Sequence, residues 1–239
     1  VAGHSKWANI KHKKERADAK KGKAFSKVTK EIITAVKQGG PDPKTNNKLK
    51  IAIQKAKAVN LPNENIERNI KKAESSDAQY ESITYELYGY GGVGIICQAM
   101  TDNKNRTFSD IRLATNKRGG TIAAPGSVAY QFDHKGILQI PKDKVDADAL
   151  FMAVLEKGGE DLQDEDEGYF VITAPDQLYQ VKEELEKCGF NASEASIEMI
   201  PKLLVSCDSE ASKNNEALIE WLEAIDDIDE VYHNMQMSE

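Results

Sequence analysis

Residues 136–200 read GILQIPKDKVDADALFMAVLEKGGEDLQDEDEGYFVITAPDQLYQVKEELEKCGFNASEASIEMI. Short apolar runs alternate here with longer stretches of helical periodicity. The pattern predicts a strand at 136–140, a helix at 146–157 and a strand at 160–163. A strand at 168–173, a helix at 175–188 and a strand at 192–200 complete the series. That order is βαββαβ, the ferredoxin-like arrangement. Pro175 suits a first helical position, where its missing N–H is no loss. The acid run Asp161, Asp164, Glu165, Asp166 and Glu167 lacks the alternating ligand order of a calcium loop and reads as a solvated turn.

Working outward, two β-type runs at 83–88 and 93–100 surround Gly89-Tyr90-Gly91-Gly92 and predict a hairpin. A helix at 106–117 closes on Gly119-Gly120, and 127–132 reads as a further strand. After the βαββαβ unit come a helix at 210–225, with Leu218, Trp221, Leu222 and Ile225 on one face, and a strand near 229–234. The strand–strand–helix–strand set before residue 133 lacks a helix and a strand, and the C-terminal segment supplies both. The expected architecture is therefore α+β, with a basic helical domain at 1–76, a middle α/β domain at 77–133 plus 205–239, and the ferredoxin-like unit at 134–204 inserted into it.

The helical domain rests on three segments. Phe25, Val28, Ile32 and Val36 recur at helical spacing until Gly39-Gly40-Pro41. A second helix at 47–59 places Leu49, Ile53 and Ala56 inward, and a third places Ile66, Ile70 and Ala73 on one face.

Charge divides the chain along the same line. Residues 1–72 hold 19 Lys/Arg against 6 Asp/Glu, a net of +13, while 73–239 hold 13 against 33, a net of −20. The overall charge of −7 hides a basic module joined to an acidic one. So strong an asymmetry points to a polyanionic partner. Lys13, Arg16, Lys20, Lys23, Lys27 and Lys30 are spaced 3, 4, 3, 4, 3, which on one helix forms a single cationic stripe about 25 Å long. Lys6, Lys11, Lys14 and Lys21 are further cations of the segment, and Trp7, among Lys6, Lys11 and Lys13, offers a ring either for stacking on an unpaired base or for anchoring the segment to its own bundle. Lys far outnumbers Arg, which favours backbone contact over reading of base edges. A second basic island, Lys104, Arg106, Arg112, Lys117 and Arg118, surrounds a helix start that either meets phosphate or is capped locally by Asp102, Asn103 or Asn105.

Other chemistry is poorly supported. Gly89 to Gly94 satisfies G-x-G-x-x-G, but residues 93–100 have strand chemistry and no helical period, so the glycines belong to a hairpin turn rather than a dinucleotide site. There is no nucleophile elbow, P-loop or H-E-x-x-H, and the expectation is a non-enzyme without cofactor or metal. Cys97, Cys188 and Cys207 have no ligand or redox spacing and read as buried, reduced thiols. No run is long and apolar enough for a membrane span, and no apolar core comes after the basic start, so neither a membrane nor a secretory role is expected.

Several stretches are recognisable together: AGHSKWANIKHKK, KGKAFSKVTKEI, GGPDP, LPNENIERNIKKA, DNKNRT, GSVAYQF, IEMIP and DEVYHN, in that order from Ala2 to Asn234. In this the chain resembles the YebC/PmpR family, which includes the mitochondrial translational activator of cytochrome oxidase. Where the family pattern has Gly and Pro, this chain has Leu87 and Tyr90. The resemblance implies a cytoplasmic three-domain protein with a role in gene expression, either as a DNA-binding transcriptional regulator or as a translation factor at the ribosome. The implied partner is duplex DNA or ribosomal RNA. The residues offered for it are Lys6, Trp7, Lys11, Lys13, Lys14, Arg16, Lys20, Lys21, Lys23, Lys27, Lys30, Arg106, Arg112, Lys117 and Arg118.

Overall fold

A computed structural model describes residues 9, 10, 13, 21–75, 77 and 79–237. Three helices come first: α1 (Lys21–Gly39), α2 (Asn47–Ala58) and α3 (Asn63–Ser75). Their apolar positions meet as the spacing predicts. Val28, Ile32 and Val36 pack on Leu49, Ala52 and Ala56 of α2 and on Ile66 and Ala73 of α3. Buried Asn46 joins the first two helices, donating to Ala35 O and Gly40 O at 2.8 Å each and accepting from Leu49 N at 3.1 Å. One side chain thus closes α1 and caps α2.

The first sheet contains β1 (Glu81–Tyr88), β2 (Gly94–Thr101), β3 (Thr121–Ile122) and β8 (Ile228–His233), in the order β3-β1-β2-β8, all antiparallel. Helices α4 (Lys104–Arg118) and α7 (Ser209–Ala224) cover one face. That core includes Leu87, Ile95, Cys97, Ile111, Leu218, Leu222 and Val231. Leu87 is fully buried there. The turn between β1 and β2 is a short 3₁₀ segment, Tyr90–Gly92. Gly91 has φ +68°, open to glycine at little cost. At Gly89 a Cβ would lie 2.3 Å from Asn215 Oδ1, which accepts from Tyr90 N at 2.8 Å. The G-x-G-x-x-G string is therefore a hairpin turn held by α7.

Between β3 and α7 the chain builds its second sheet from β4 (Phe132–Ile140), β5 (Asp161–Glu165), β6 (Gly168–Thr173) and β7 (Glu194–Pro201), in the order β5-β6-β4-β7. With α5 (Ala147–Glu156) and α6 (Leu178–Lys187) this is the ferredoxin-like βαββαβ unit, inserted ahead of the last helix and strand of the first sheet. Leu138, Ile140, Leu150, Val154, Val171, Leu178, Val181 and Leu185 form its core. By compactness Gln131–Lys202 is one unit, and the described residues before and after it form the other.

Three expectations are corrected. Residues 127–131 are not a strand: the third strand of the first sheet is Thr121–Ile122, and Phe132 already belongs to β4. The reason is Glu86. Its buried carboxylate accepts from Gly126 N and Val128 N at 2.6 Å and from Ala129 N at 2.7 Å, so these amides are bound to a side chain instead of a ladder. Pro175 lies in a turn ahead of α6, which starts at Leu178. Of the cysteines, Cys97 is buried, Cys207 is partly exposed, and Cys188 is exposed at the end of α6.

Burial alone would raise the Glu86 pKa, but its three N–H donors outweigh burial and lower it. In Glu86→Gln an amide NH₂ would face donors. We expect a loss of about 1–3 kcal/mol in denaturant unfolding, with faster hydrogen exchange at Gly126, Val128 and Ala129. Unaltered exchange at these three amides would refute the assignment.

Candidate nucleic-acid interface

Of the cationic stripe, Lys23, Lys27 and Lys30 lie on one side of α1, and that side meets carboxylates and backbone carbonyls of this same chain, while Arg16 and Lys20 lie outside the described residues. Strand β8 explains how. Successive residues of a strand point to opposite faces. Val231 points into the core beneath α4 and α7, while Glu230 and Tyr232 face the other way, toward α1. Lys27 Nζ donates to Glu230 Oε1 at 2.5 Å, and Lys13 Nζ lies 2.9 Å from Glu230 Oε2 and 4.1 Å from the Tyr232 ring centre. Lys30 Nζ lies 3.4 Å from Asp229 Oδ1 and donates to Asp226 O at 3.2 Å. Lys23 Nζ donates to Glu223 O and, at 2.8 Å, to Ile225 O. These carbonyls end α7, where a cation also complements the helix dipole. Buried Asn9 adds hydrogen bonds to His233 O at 3.3 Å and Met235 O at 3.1 Å.

Electrostatics reflects this geometry. Burial works against the charge of Glu230, but Lys13 and Lys27 overcome it and pull the carboxyl down to about 2. Burial likewise opposes the Lys27 charge, and Glu230 with Tyr232 overcomes it, holding the ammonium well above its ordinary value. Next door, burial pushes the Asp229 carboxyl up, because Lys30 is more distant.

The second island is also partly internal. Asn103 caps α4, its side chain accepting from Arg106 N at 3.1 Å. Arg106 holds Asp227 through Nε at 3.0 Å and Nη2 at 2.8 Å, and reaches Asp102 at 2.8 Å. Thr107 Oγ1 donates to Asp227 at 2.8 Å. Burial tends to raise the Asp227 pKa, but Arg106 and Thr107 bring it below the ordinary value. Arg112 and Lys117 are exposed, and exposed Arg118 lies 5.6 Å from the Trp221 ring centre. Lys6, Trp7, Lys11, Lys14, Arg16 and Lys20 lie outside the described residues, and Lys21 opens α1.

Other cations face outward. Lys44, Lys48, Lys50 and Lys57, in and beside α2, are exposed. Their signal is present in the chain: residues 43–63 contain five lysines and no acid. Among the described residues no group of three or more His, Cys, Asp or Glu is placed to hold a metal ion, and no helix is long and apolar enough to cross a membrane.

Comparison with known proteins agrees with this architecture. Residues 5–76 match the TACO1/YebC N-terminal domain, and residues 80–235 match the TACO1/YebC second and third domain. The chain belongs to the TACO1/YebC family. A protein of Chlamydia muridarum named a probable transcriptional regulatory protein is 60% identical over 237 residues, covering 98% of this chain and all of the relative. One of Protochlamydia amoebophila with the same designation is 56% identical over 240 residues, covering 100% and 98%. The crystal structure of a conserved hypothetical protein from Aquifex aeolicus superposes with a TM-score of 0.80 at 42% identity, covering 98% of this chain and 97% of that one. The stretches quoted above hold both partners of the Lys27–Glu230 and Lys30–Asp229 contacts and one partner of several others. KGKAFSKVTKEI supplies Lys23, Lys27 and Lys30, and DEVYHN supplies Asp229 and Glu230. DNKNRT supplies Asp102, Asn103, Arg106 and Thr107, and GSVAYQF supplies the amides bound by Glu86.

Glu230 titrates lower in the folded chain than in the unfolded one. Its contribution is therefore present at neutral pH and fades as pH falls from about 4.5 toward about 2. Glu230→Gln, which leaves Lys13 and Lys27 without their carboxylate, is expected to cost about 2–4 kcal/mol at pH 7 and to flatten the stability–pH curve across that window. Urea unfolding at a series of pH values measures both. A variant with the wild-type acid slope would contradict this account of the pair.

Proposed function

We propose that this chain is a non-enzymatic, nucleic-acid-binding regulator of gene expression, acting in the cytoplasm as a DNA-binding transcriptional regulator. The observation carrying this reading is the segregation of charge, +13 over residues 1–72 against −20 over the remainder. A basic module on an acidic body attracts phosphate at one end and repels it elsewhere. The printed names of the chlamydial relatives, probable transcriptional regulatory proteins, are consistent with this role.

A second reading, a translation factor that binds ribosomal RNA, is favoured by one feature. Residues 1–72 hold 17 Lys but only Arg16 and Arg68. Lysine acts as a point charge and lacks the fork that pairs with guanine edges, so the module suits backbone contact better than sequence reading. As a regulator of promoters the protein should bind a promoter duplex at least about a thousandfold more tightly than random duplex at physiological salt. As a translation factor it should co-sediment with ribosomes and barely distinguish duplexes. Fluorescence anisotropy across a salt series, together with ribosome sedimentation, separates the two. Absence of binding to DNA, RNA and ribosomes alike at low salt would exclude both.

A further inference from the structure

We infer that helix α2, rather than the lysine stripe of α1, is the face that meets the phosphodiester backbone. This rests on the proposed nucleic-acid function and assigns it a surface. The twelve residues of α2, NKLKIAIQKAKA, contain four lysines and no acid. Leu49, Ala52 and Ala56 point inward and fix the helix's rotation. At 100° per residue, Lys50 and Lys57 then lie along one edge of the outer face and Lys48 along the other. Between them runs an uncharged strip of Asn47, Ile51, Gln54 and Ala58. Lys50 and Lys57 are about 10 Å apart along the axis, close to three nucleotide rises of one strand. Asn47 and Gln54 bring amide groups to the same face, suited to sugar or base-edge contact. Lys44 extends the exposed charge at the N-terminal end.

The alternatives on the molecule are weaker. On α1, Lys23, Lys27 and Lys30 already hold Glu223, Glu230 and Asp229. Helix α3 balances Arg68, Lys71 and Lys72 with Glu64, Glu67 and Glu74. On α4, Arg106 is bound to Asp227 and Asp102, and Asp110 shares the helix. The acids nearest α2 are few. Glu31 is paired with Lys55 at 2.8 Å, and Asp42 accepts from Lys44 N in the turn before the helix.

The test uses the full chain with Lys48→Gln, Lys50→Gln and Lys57→Gln combined, since glutamine keeps helix propensity while removing charge. Labelled random DNA duplex and labelled hairpin RNA are titrated between about 50 and 200 mM salt. The triple variant should bind about tenfold or more weakly at the lower salt, and the slope of log K against log salt should fall by about 2–3. Lys27→Gln, within the internal ion pair, should leave that slope unchanged while lowering the melting temperature. Loss confined to the duplex assigns DNA, and loss confined to the hairpin assigns RNA; either supports the α2 face. A triple variant that folds with the wild-type melting temperature and binds both probes with wild-type affinity and slope overturns this assignment, leaving the nucleic-acid function standing. If the wild-type chain binds neither probe, both fall.

Discussion

Glu230 sits between two ammonium groups, Lys13 and Lys27, on the face of β8 turned away from the helices of its own sheet. The placement of α1 on the first sheet depends on this arrangement. A carboxylate withdrawn from water is costly unless cations replace its hydration, and two of them here do so. Because the stripe on α1 is one-sided, satisfying Glu230 with Lys27 also brings Lys23 to the end of α7 and Lys30 to Asp229. The helical bundle is thereby set on the first sheet by charge, and its own apolar side is left to pack on α2 and α3. One strand serves two layers, with Val231 in the core on one face and Glu230 bound to lysine on the other.

The same solution recurs. Glu86 gathers three backbone amides of the loop before β4, and Asp227 gathers Arg106 and Thr107 at the start of α4. In each case a carboxylate on one element collects donors from a segment distant in sequence, so breaking one contact exposes a buried charge rather than removing a surface decoration. The acidic character of the body is thus partly structural. Several of its carboxylates are acceptors that hold loops and helix ends.

Legibility in the sequence varied with the range of the forces involved. The ferredoxin-like unit was readable because each helix and strand buries its own periodic apolar face, and period alone distinguishes 3.6 from 2. The split of the first sheet was readable from what was missing before residue 133. The segment 127–131 misled because Val128, Ala129 and Tyr130 have strand chemistry, and nothing nearby reveals that Glu86, some forty residues away, binds the amides of Val128 and Ala129. The spacing of Lys23, Lys27 and Lys30 places them on a single face of α1, but spacing says nothing about what that face meets. The acid-free stretch at 43–63 was visible and was overshadowed by the denser charge ahead of it.

By itself the sequence determined most of the order of elements, the insertion and the separation of charge into two modules, because these arise from local periodicity, turn chemistry and simple summation of charge; the family resemblance was carried by the quoted stretches. Only the tertiary structure decided which lysines face outward. Internal pairing of a cation depends on acids about two hundred residues away, at 223–230, being carried to within hydrogen-bond distance by the return of the chain as α7 and β8. No local pattern encodes that meeting. It arises when the last strand closes the sheet and places its two faces between different partners.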